Sequence, residues 1–262
     1  MIELAFVSYN RIDFTRRALQ SVLDDPSQSF SLTIWDNASS DGTQEYLRSI
    51  SDPRIKDIVL SDENVGQVDA VNTVWQRSDA ELLGKLDNDC ILTPGWTEPL
   101  RKAHEDIPEL GVIACWHFFE DDFDEKRAAH KIQTFGEHRI LRHPWTCGTG
   151  LLTKNRIYKE LGPIVGPGTT GYWTKLARAG YVNGFYYPFI YQEHMDDPKS
   201  EHSLLRNEEA FARERGDGTL AEYWKVRDRI LRNLLDEPWQ IEHYMGWRKA
   251  ARAVGRRLGF GC

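Results

Sequence analysis

Across residues 1–90, short apolar runs alternate with segments of helical periodicity, and each run ends in a polar loop. Ile2–Ser8 is apolar almost throughout, as a strand buried on both faces should be. Arg11–Leu23 then sets Phe14, Ala18, Leu19 and Val22 on one helical face, with Asn10 as the expected cap. Leu32–Trp35 reads as a second strand, Thr43–Ile50 as a helix and Ile55–Leu60 as a third strand. Asn64-Val65-Gly66 opens a helix carrying Val68, Val71 and Trp75, and Leu82–Leu86 is the fourth strand. Strands alternating with helices argue for an α/β fold with a mostly parallel central sheet flanked by helices. In such sheets ligands bind beyond the carboxyl ends of the strands. The loops Ser8–Asn10, Asp36–Gly42, Asp62–Gly66 and Asp87–Asp89 all lie at that rim.

The fourth apolar run ends abruptly in Asp87-Asn88-Asp89. Two carboxylates two residues apart offer hard oxygen ligands to Mg²⁺ or Mn²⁺, ions that complete their shells with phosphate and water. A lone Asp-x-Asp is common as a polar turn, so its meaning depends on the other loops. Ser8-Tyr9-Asn10-Arg11, Asp36-Asn37-Ala38-Ser39-Ser40-Asp41-Gly42-Thr43, Asn64-Val65-Gly66 and Leu86-Asp87-Asn88-Asp89 occur in order at successive strand ends. Gly148-Thr149-Gly150-Leu151-Leu152 and Ala179-Gly180-Tyr181 follow. Together these segments resemble family 2 glycosyltransferases, which have the GT-A fold, over roughly residues 1–195.

The resemblance implies roles by position. Ser8 and Asn10 would border the nucleoside, Asp36 would accept from the base or ribose, and Asn64 would belong to the same nucleotide-binding set. Asp87 would face the ribose or a metal-bound water, and Asp89 would ligate the metal directly. Tyr191-Gln192-Glu193-His194-Met195-Asp196-Asp197 follows an aromatic, strand-like stretch, Tyr181–Tyr191. Metal-dependent relatives place a histidine there, so His194 is the expected second ligand; an ion such as Mn²⁺ accepts imidazole beside carboxylate. In isolation each of these is also an ordinary polar loop residue, and Asp36 an Asx-turn residue.

Two departures from the family stand out. Relatives carry Glu-Asp or Asp-Asp at the start of the acceptor-side helix, where this chain reads Gly168-Thr169-Thr170-Gly171-Tyr172-Trp173. The catalytic base is therefore unassigned. It comes from another loop (Glu120–Glu125, or Glu193, Asp196 and Asp197), or the stereochemistry is not the family's inversion, or the protein binds without turnover. The second departure is Val71, where relatives often have a basic residue. Trp96, Trp116, His117, Trp145, Tyr172 and Trp173 fall near the expected sugar region, although Trp and Tyr are equally at home in a core.

Glu120–Glu125, five acids around Phe123, reads as a solvated loop, Gly148–Thr153 as a strand and Gly162–Gly171 as a loop. From Ser200 onward the pattern is helical. The expected organisation is a GT-A domain over 1–199, with a nucleotide-binding half (1–90) and an acceptor half (91–199), and a C-terminal helical extension over 200–262. After Trp239 one acid, Glu242, faces Arg248, Lys249, Arg252, Arg256 and Arg257, so the tail is about +4 and the rest about −11 of a net −7. Residues 241–258 form an amphipathic basic helix suited to an anionic membrane or to packing on the protein itself. The negative net charge gives no case for nucleic-acid binding. No signal peptide or membrane-spanning run is read, and four scattered cysteines without Cys-x-x-Cys suit reduced thiols. A cytoplasmic protein, peripheral to the inner face of a membrane, with oligomerisation left open, is the expectation.

The function this implies is metal-dependent transfer of a sugar, with inversion, from a UDP-linked or other nucleoside-diphosphate donor. The acceptor would be a hydroxyl of a glycan, a lipid-linked saccharide or another molecule. A nucleotidyltransferase would show a Gly-rich basic loop early in the chain, and Ser8–Ile12 has one Arg and no Gly. A non-catalytic sugar-nucleotide or glycan-binding protein remains an alternative because of Thr169–Trp173. No Gly-x-Gly-x-x-Gly follows the first strand, which argues against a dinucleotide-binding oxidoreductase.

Overall fold

The computed structural model describes residues 1–244. In chain order its elements are β1 (Ile2–Ser8), α1 (Ile12–Leu23), β2 (Phe30–Asp36), α2 (Thr43–Ser49), β3 (Ile55–Leu60), α3 (Gly66–Gln76), β4 (Leu82–Asp87), β5 (Cys90–Leu92), α4 (Thr97–Asp106) and β6 (Leu110–Ala114). They continue as α5 (Glu125–Ala128), β7 (Ile132–Phe135), β8 (His138–Arg142), β9 (Leu151–Lys154), α6 (Asn155–Leu161), α7 (Thr170–Arg178), β10 (Val182–Tyr187), β11 (Gln192–His194), α8 (Glu208–Arg215), α9 (Leu220–Asp236) and α10 (Ile241–Tyr244).

The main sheet has nine strands in the order β3-β2-β1-β4-β9-β6-β10-β8-β7. β1 pairs in parallel with β2 and β4, β2 with β3, and β10 with β6. β9 lies antiparallel between β4 and β6, and β8 antiparallel between β10 and β7, so only these two run against the rest. The alternation of apolar runs and helices thus gives the mostly parallel sheet expected. All seven residues of β1 are buried. Ile2, Leu4 and Phe6 enter one core, with Phe14, Leu19, Trp96 and Leu100 of the helices on that side. Ala5 and Val7 enter the other, with Val71, Trp75, Trp173 and Leu176. Period-two alternation puts successive side chains on opposite faces, which is why a continuous apolar run was required. Leu234 and Leu235 of α9 are fully buried in this second core, so α9 is packed against that side of the molecule.

Gly84 sits in β4 where a Cβ would lie 2.4 Å from Leu4 and 3.0 Å from Leu152. The absent side chain allows both leucines to close over the strand.

Several local expectations are revised. Asn10 does not cap α1: it lies in the left-handed region, and its side-chain oxygen accepts from Ser40 N at 2.9 Å. The helix start is instead served by Asp41, whose carboxylate accepts from Ile12 N at 2.8 Å. The aromatic stretch after Tyr181 is strand only to Tyr187, and the strand expected from Gly148 begins at Leu151. Glu120–Glu125 is not simply solvated: Glu120–Asp122 forms a 3₁₀ turn, and Asp122 points inward onto Arg227 and Lys199. Residues 245–258 of the predicted amphipathic helix lie outside the described residues. Among the described residues, no helix is long and apolar enough to cross a membrane.

Two outcomes follow. Gly84→Ala should lower unfolding free energy by about 1–3 kcal/mol through overpacking, read by urea denaturation. His104 of α4 is buried and bonds the Leu152 carbonyl at 2.9 Å, and burial pushes its pKa down to about 3. A histidine depressed in the native state destabilises on acidification, because the unfolded chain takes up the proton first. Stability should fall as pH drops below about 6.5, and a His104→Gln variant should show a flatter fall in the same titration.

Candidate active site and metal centre

The carboxyl ends of β1, β2 and β4 are stitched together before any ligand is considered. Ser8 Oγ donates to Asp36 at 2.9 Å, Asn10 N donates to Ser39 Oγ at 2.7 Å, and Asn88 Nδ2 donates to the Asn10 carbonyl at 3.0 Å and Thr15 Oγ1 at 2.9 Å. Asn10, Arg11 and Ala38 all have positive φ, at 51°, 61° and 62°. Each such non-glycine residue costs roughly 1–2 kcal/mol, strain that is held in place by these cross-loop bonds. Asp36 is fully buried and accepts from Ser8, from Ser39 N and Oγ, and from Gln44 Nε2 at 3.0 Å. Its carboxylate therefore organises the loop directly. Asn64 makes a local turn, accepting from Gly66 N at 2.9 Å.

Asp87 ends β4, and Asp89 occupies the turn into β5. The short β5 pairs antiparallel with β11, placing His194 opposite Cys90, and Met195 N donates to the Asp89 carbonyl at 2.8 Å. This ladder brings two segments far apart in sequence together: His194 Nε2 lies 3.5 Å from Asp89 Oδ2. Ligand atoms of Asp89, Cys90 and His194 all fall within 4.8 Å of one another. The chemistry of the donors decides which of them fit a cation. Burial pushes the Cys90 thiol up, so it stays protonated and faces Asp89 at 3.5 Å. Asp89 and His194 remain as one carboxylate and one imidazole, a set that suits Mn²⁺ better than Mg²⁺.

The charges agree with that division. Burial alone would raise Asp89, but the hydrogen bond and charge of His194, with Arg11, hold its carboxyl well below the usual range. His194 is raised despite burial, by Asp89 first and then Asp196 and Asp197. Asp87 is pushed up, by burial above all and by the charge of Asp89, against the pull of Lys85. Lys85 is completely buried beneath the site and paired with Asp87. The Asp87 backbone N–H is held by Thr149 Oγ1 at 2.9 Å.

The three weak candidates for catalytic base are all engaged. Asp196 is buried and grips Arg11 with both oxygens, one at 2.8 Å, and takes Arg215 at 2.9 Å. Asp197 is buried against Arg227, which also binds Asp122. Glu193 precedes His194 on β11 and so faces the other way, bonded to Ser200. Of the aromatic candidates, Trp96, Trp116, Tyr172 and Trp173 belong to the core, with Trp116 stacked on Phe189 at 4.4 Å. Trp145 and His117 do reach the site.

That site is a cavity of about 360 Å³ lined by Asp87, Asp89, His194, His117, Phe118 and Trp145, by Cys147–Thr149 and Thr170, and by Asp197. Its remaining wall is Tyr223, Val226, Arg227 and Ile230 of α9. A larger cavity, about 730 Å³, lies at the opposite, amino-terminal edge around Met1, Glu81 and Lys154, away from the loops carrying this chemistry. Sequence reasoning missed Lys85, Arg11, Arg227 and Tyr223. Only Lys85, a lone charge inside an apolar run, left a local signal.

Residues 4–179 match the profile of Glycosyl transferase family 2. The chain belongs to that family. It is 32% identical over 204 residues to glycosyltransferase AglE of Haloferax volcanii, covering 71% of this chain and 66% of AglE. The chain thus spans just under two thirds of that relative's length. In fold it is similar to the mannosyltransferase PcManGT from Pyrobaculum calidifontis, determined in complex with GDP-Man and Mn²⁺. There the TM-score is 0.63 at 18% identity, covering 99% of this chain and 80% of that one. It is also similar to TarS of S. aureus, with a TM-score of 0.58 at 11% identity over 90% of this chain and 44% of that one. The architecture is therefore the GT-A fold of this glycosyltransferase family.

The Lys85–Asp87 pair supplies a direct test. Lys85→Met leaves a carboxylate facing a cation-free interior and should cost on the order of 3 kcal/mol in urea unfolding. The double variant Lys85→Met/Asp87→Leu should recover most of that loss.

Proposed function

We propose that this protein transfers a sugar from a nucleoside-diphosphate donor to an acceptor, with a divalent cation, Mn²⁺ or Mg²⁺, held between Asp89 and His194. The observation that carries the reading is the approach of His194 to Asp89 across the β5–β11 ladder, at the carboxyl end of β4, inside a cavity large enough for a sugar. The nucleoside would lie over the loops that contain Ser8, Asn10, Asp36 and Asn64, with Asp87 toward the ribose. UDP is the first donor nucleotide to test, and GDP belongs in the same panel because of the P. calidifontis neighbour. When bound, the cation supplies charge neutralisation at the leaving diphosphate. Asp89 and His194 would hold it, Lys85 is paired with Asp87 from below, and Arg11 spans Asp196 and Asp89.

Departure of the nucleoside diphosphate leaves positive charge at the anomeric carbon. Val226, Ile230, Phe118 and Trp145 line the same cavity as Asp89 and His194, and apolar groups there would limit the access of water to that carbon. An inverting displacement would need the acceptor to approach that carbon from the face away from the diphosphate, and α9 forms the wall of the cavity available for it.

Calorimetric titration of UDP and GDP with and without Mn²⁺ tests this. Asp89→Ala should weaken metal-dependent nucleotide binding by at least about 100-fold, or about 2.7 kcal/mol, and His194→Ala should weaken it by about tenfold or more. Equal affinity in wild type and Asp89→Ala would sink the reading.

A further inference from the structure

His194 reaches Asp89 from the end of a strand only three residues long, and a tight turn follows it. In that turn Asp197 N donates to the His194 carbonyl at 2.8 Å, and Ser200 N donates to the Asp197 carbonyl at 2.8 Å. Lys199 N donates to Asp197 Oδ1 at 2.9 Å. Ser200 Oγ turns back onto Glu193, the residue before His194. The imidazole is therefore placed by the short β5–β11 ladder on one side and by this turn on the other.

Three arginines grip the turn. Arg11 and Arg215 take Asp196, and their side chains remain 32% and 41% exposed. Arg227 of α9 takes Asp197 and is only 6% exposed. Its Nε donates to Asp197, while Nη1 and Nη2 donate to the two oxygens of Asp122, Nη1 at 3.3 Å. Lys199 Nζ donates to Asp122 as well, at 3.0 Å. The guanidinium also lies 5.0 Å from the ring centre of Phe118 and 5.3 Å from that of Trp224. Two cations thus face two carboxylates, and a planar fork is the group that can bond both acids at once. Removing one partner from such an enclosed set leaves a buried charge uncompensated, so the turn is firmly set only while α9 is seated.

We propose that Arg227 is a positioning residue for the cation site: its grip on Asp197 and Asp122 fixes the turn that holds His194 against Asp89, and so couples the seating of α9 to cation binding. The inference rests on the Asp89–His194 reading above and adds a residue that acts on that site through His194. The sign of the effect separates positioning from simple electrostatics. Arg227 is a positive charge on the wall of the cavity that contains Asp89 and His194. Acting through charge alone it would repel a cation, and its removal would tighten binding. Positioning requires the opposite. Because coupling between two sites is reciprocal, a bound cation must also steady α9 by the factor that seated α9 adds to cation affinity.

The test uses the full chain and Mn²⁺, titrated with UDP and with GDP present, and free Mn²⁺ is read by electron paramagnetic resonance. Arg227→Lys keeps the charge and loses the fork. It should weaken Mn²⁺ binding about tenfold or more, the scale on which groups that orient a metal ligand act. Arg227→Met should weaken it at least as much, although a positive charge has gone. Wild type supplies a readout that needs no Arg227 variant to fold. Saturating Mn²⁺ should slow backbone hydrogen exchange over residues 220–236 by about tenfold relative to nucleotide alone, and should have no such effect in Asp89→Ala. Affinity within about twofold of wild type in Arg227→Lys would overturn the inference, even if urea unfolding showed a loss of stability. Tighter Mn²⁺ binding by Arg227→Met, or α9 exchange indifferent to Mn²⁺ in wild type, would also overturn it and leave the glycosyl-transfer reading intact. Failure of wild type to take up Mn²⁺ with either nucleotide would overturn both.

Discussion

The pairing of β11 with β5 is the interaction on which the site depends. It is only three residue pairs long, yet it closes His194 onto Asp89 and ties the chain after the aromatic strand to the end of β4. Without it the Asp-x-Asp turn would be a solvated pair of carboxylates with no imidazole partner. The large sheet makes this possible, because β1 and β4 are fixed by burial on both faces and present their carboxyl ends at one rim.

Around that rim the protein buries an unusual amount of charge. Lys85, Arg227, Asp196 and Asp197 are all nearly inaccessible to solvent. Moving a single ion out of water costs several kcal/mol, so such groups persist only where partners satisfy them. Here each partner also performs a positioning task. Arg11 spans Asp196 and Asp89, and Arg227 spans Asp122 and Asp197. Arg215 and Arg227 thereby fasten α8 and α9 to the turn that follows His194. α9 is thus one wall of the cavity, held there by the ion pairs of Arg227 and by apolar packing of Leu234 and Leu235 farther along the helix.

Much of the fold was legible in the sequence because a doubly covered parallel sheet writes itself as continuous apolar runs. The four amino-terminal strands and the helices between them needed only end adjustments. The errors fell where tertiary contacts overrode local signals. Asn10 has the chemistry of a helix cap, but Asp41 from a neighbouring loop took that place, and Asn10 was spent holding the two loops together. Glu120–Glu125 has the composition of a solvated loop, but arginine and lysine from distant helices and loops drew Asp122 inward. Trp96, Trp116 and Trp173 were ambiguous because indole serves a core and a sugar site equally well; burial placed them in the core.

By itself, the sequence determined the order of strands and helices, the rim on which the polar loops gather, and the residues Asp87, Asp89 and His194 as the chemistry to watch. The order of elements and the rim follow from periodicity and residue type, which are local properties; the weight given to Asp87, Asp89 and His194 came from the resemblance of the ordered loops to family 2 glycosyltransferases. Tertiary structure alone decided which of those groups meet, which are neutralised, and what forms the far wall. The arginine locks on Asp196 and Asp197 and the face of α9 over the cavity join residues distant in sequence, and even the Lys85–Asp87 pair, two residues apart on one strand, is closed off only by the burial the whole fold imposes on Lys85. No local pattern encodes such contacts; they arise when burial forces each charge to find a counter-charge.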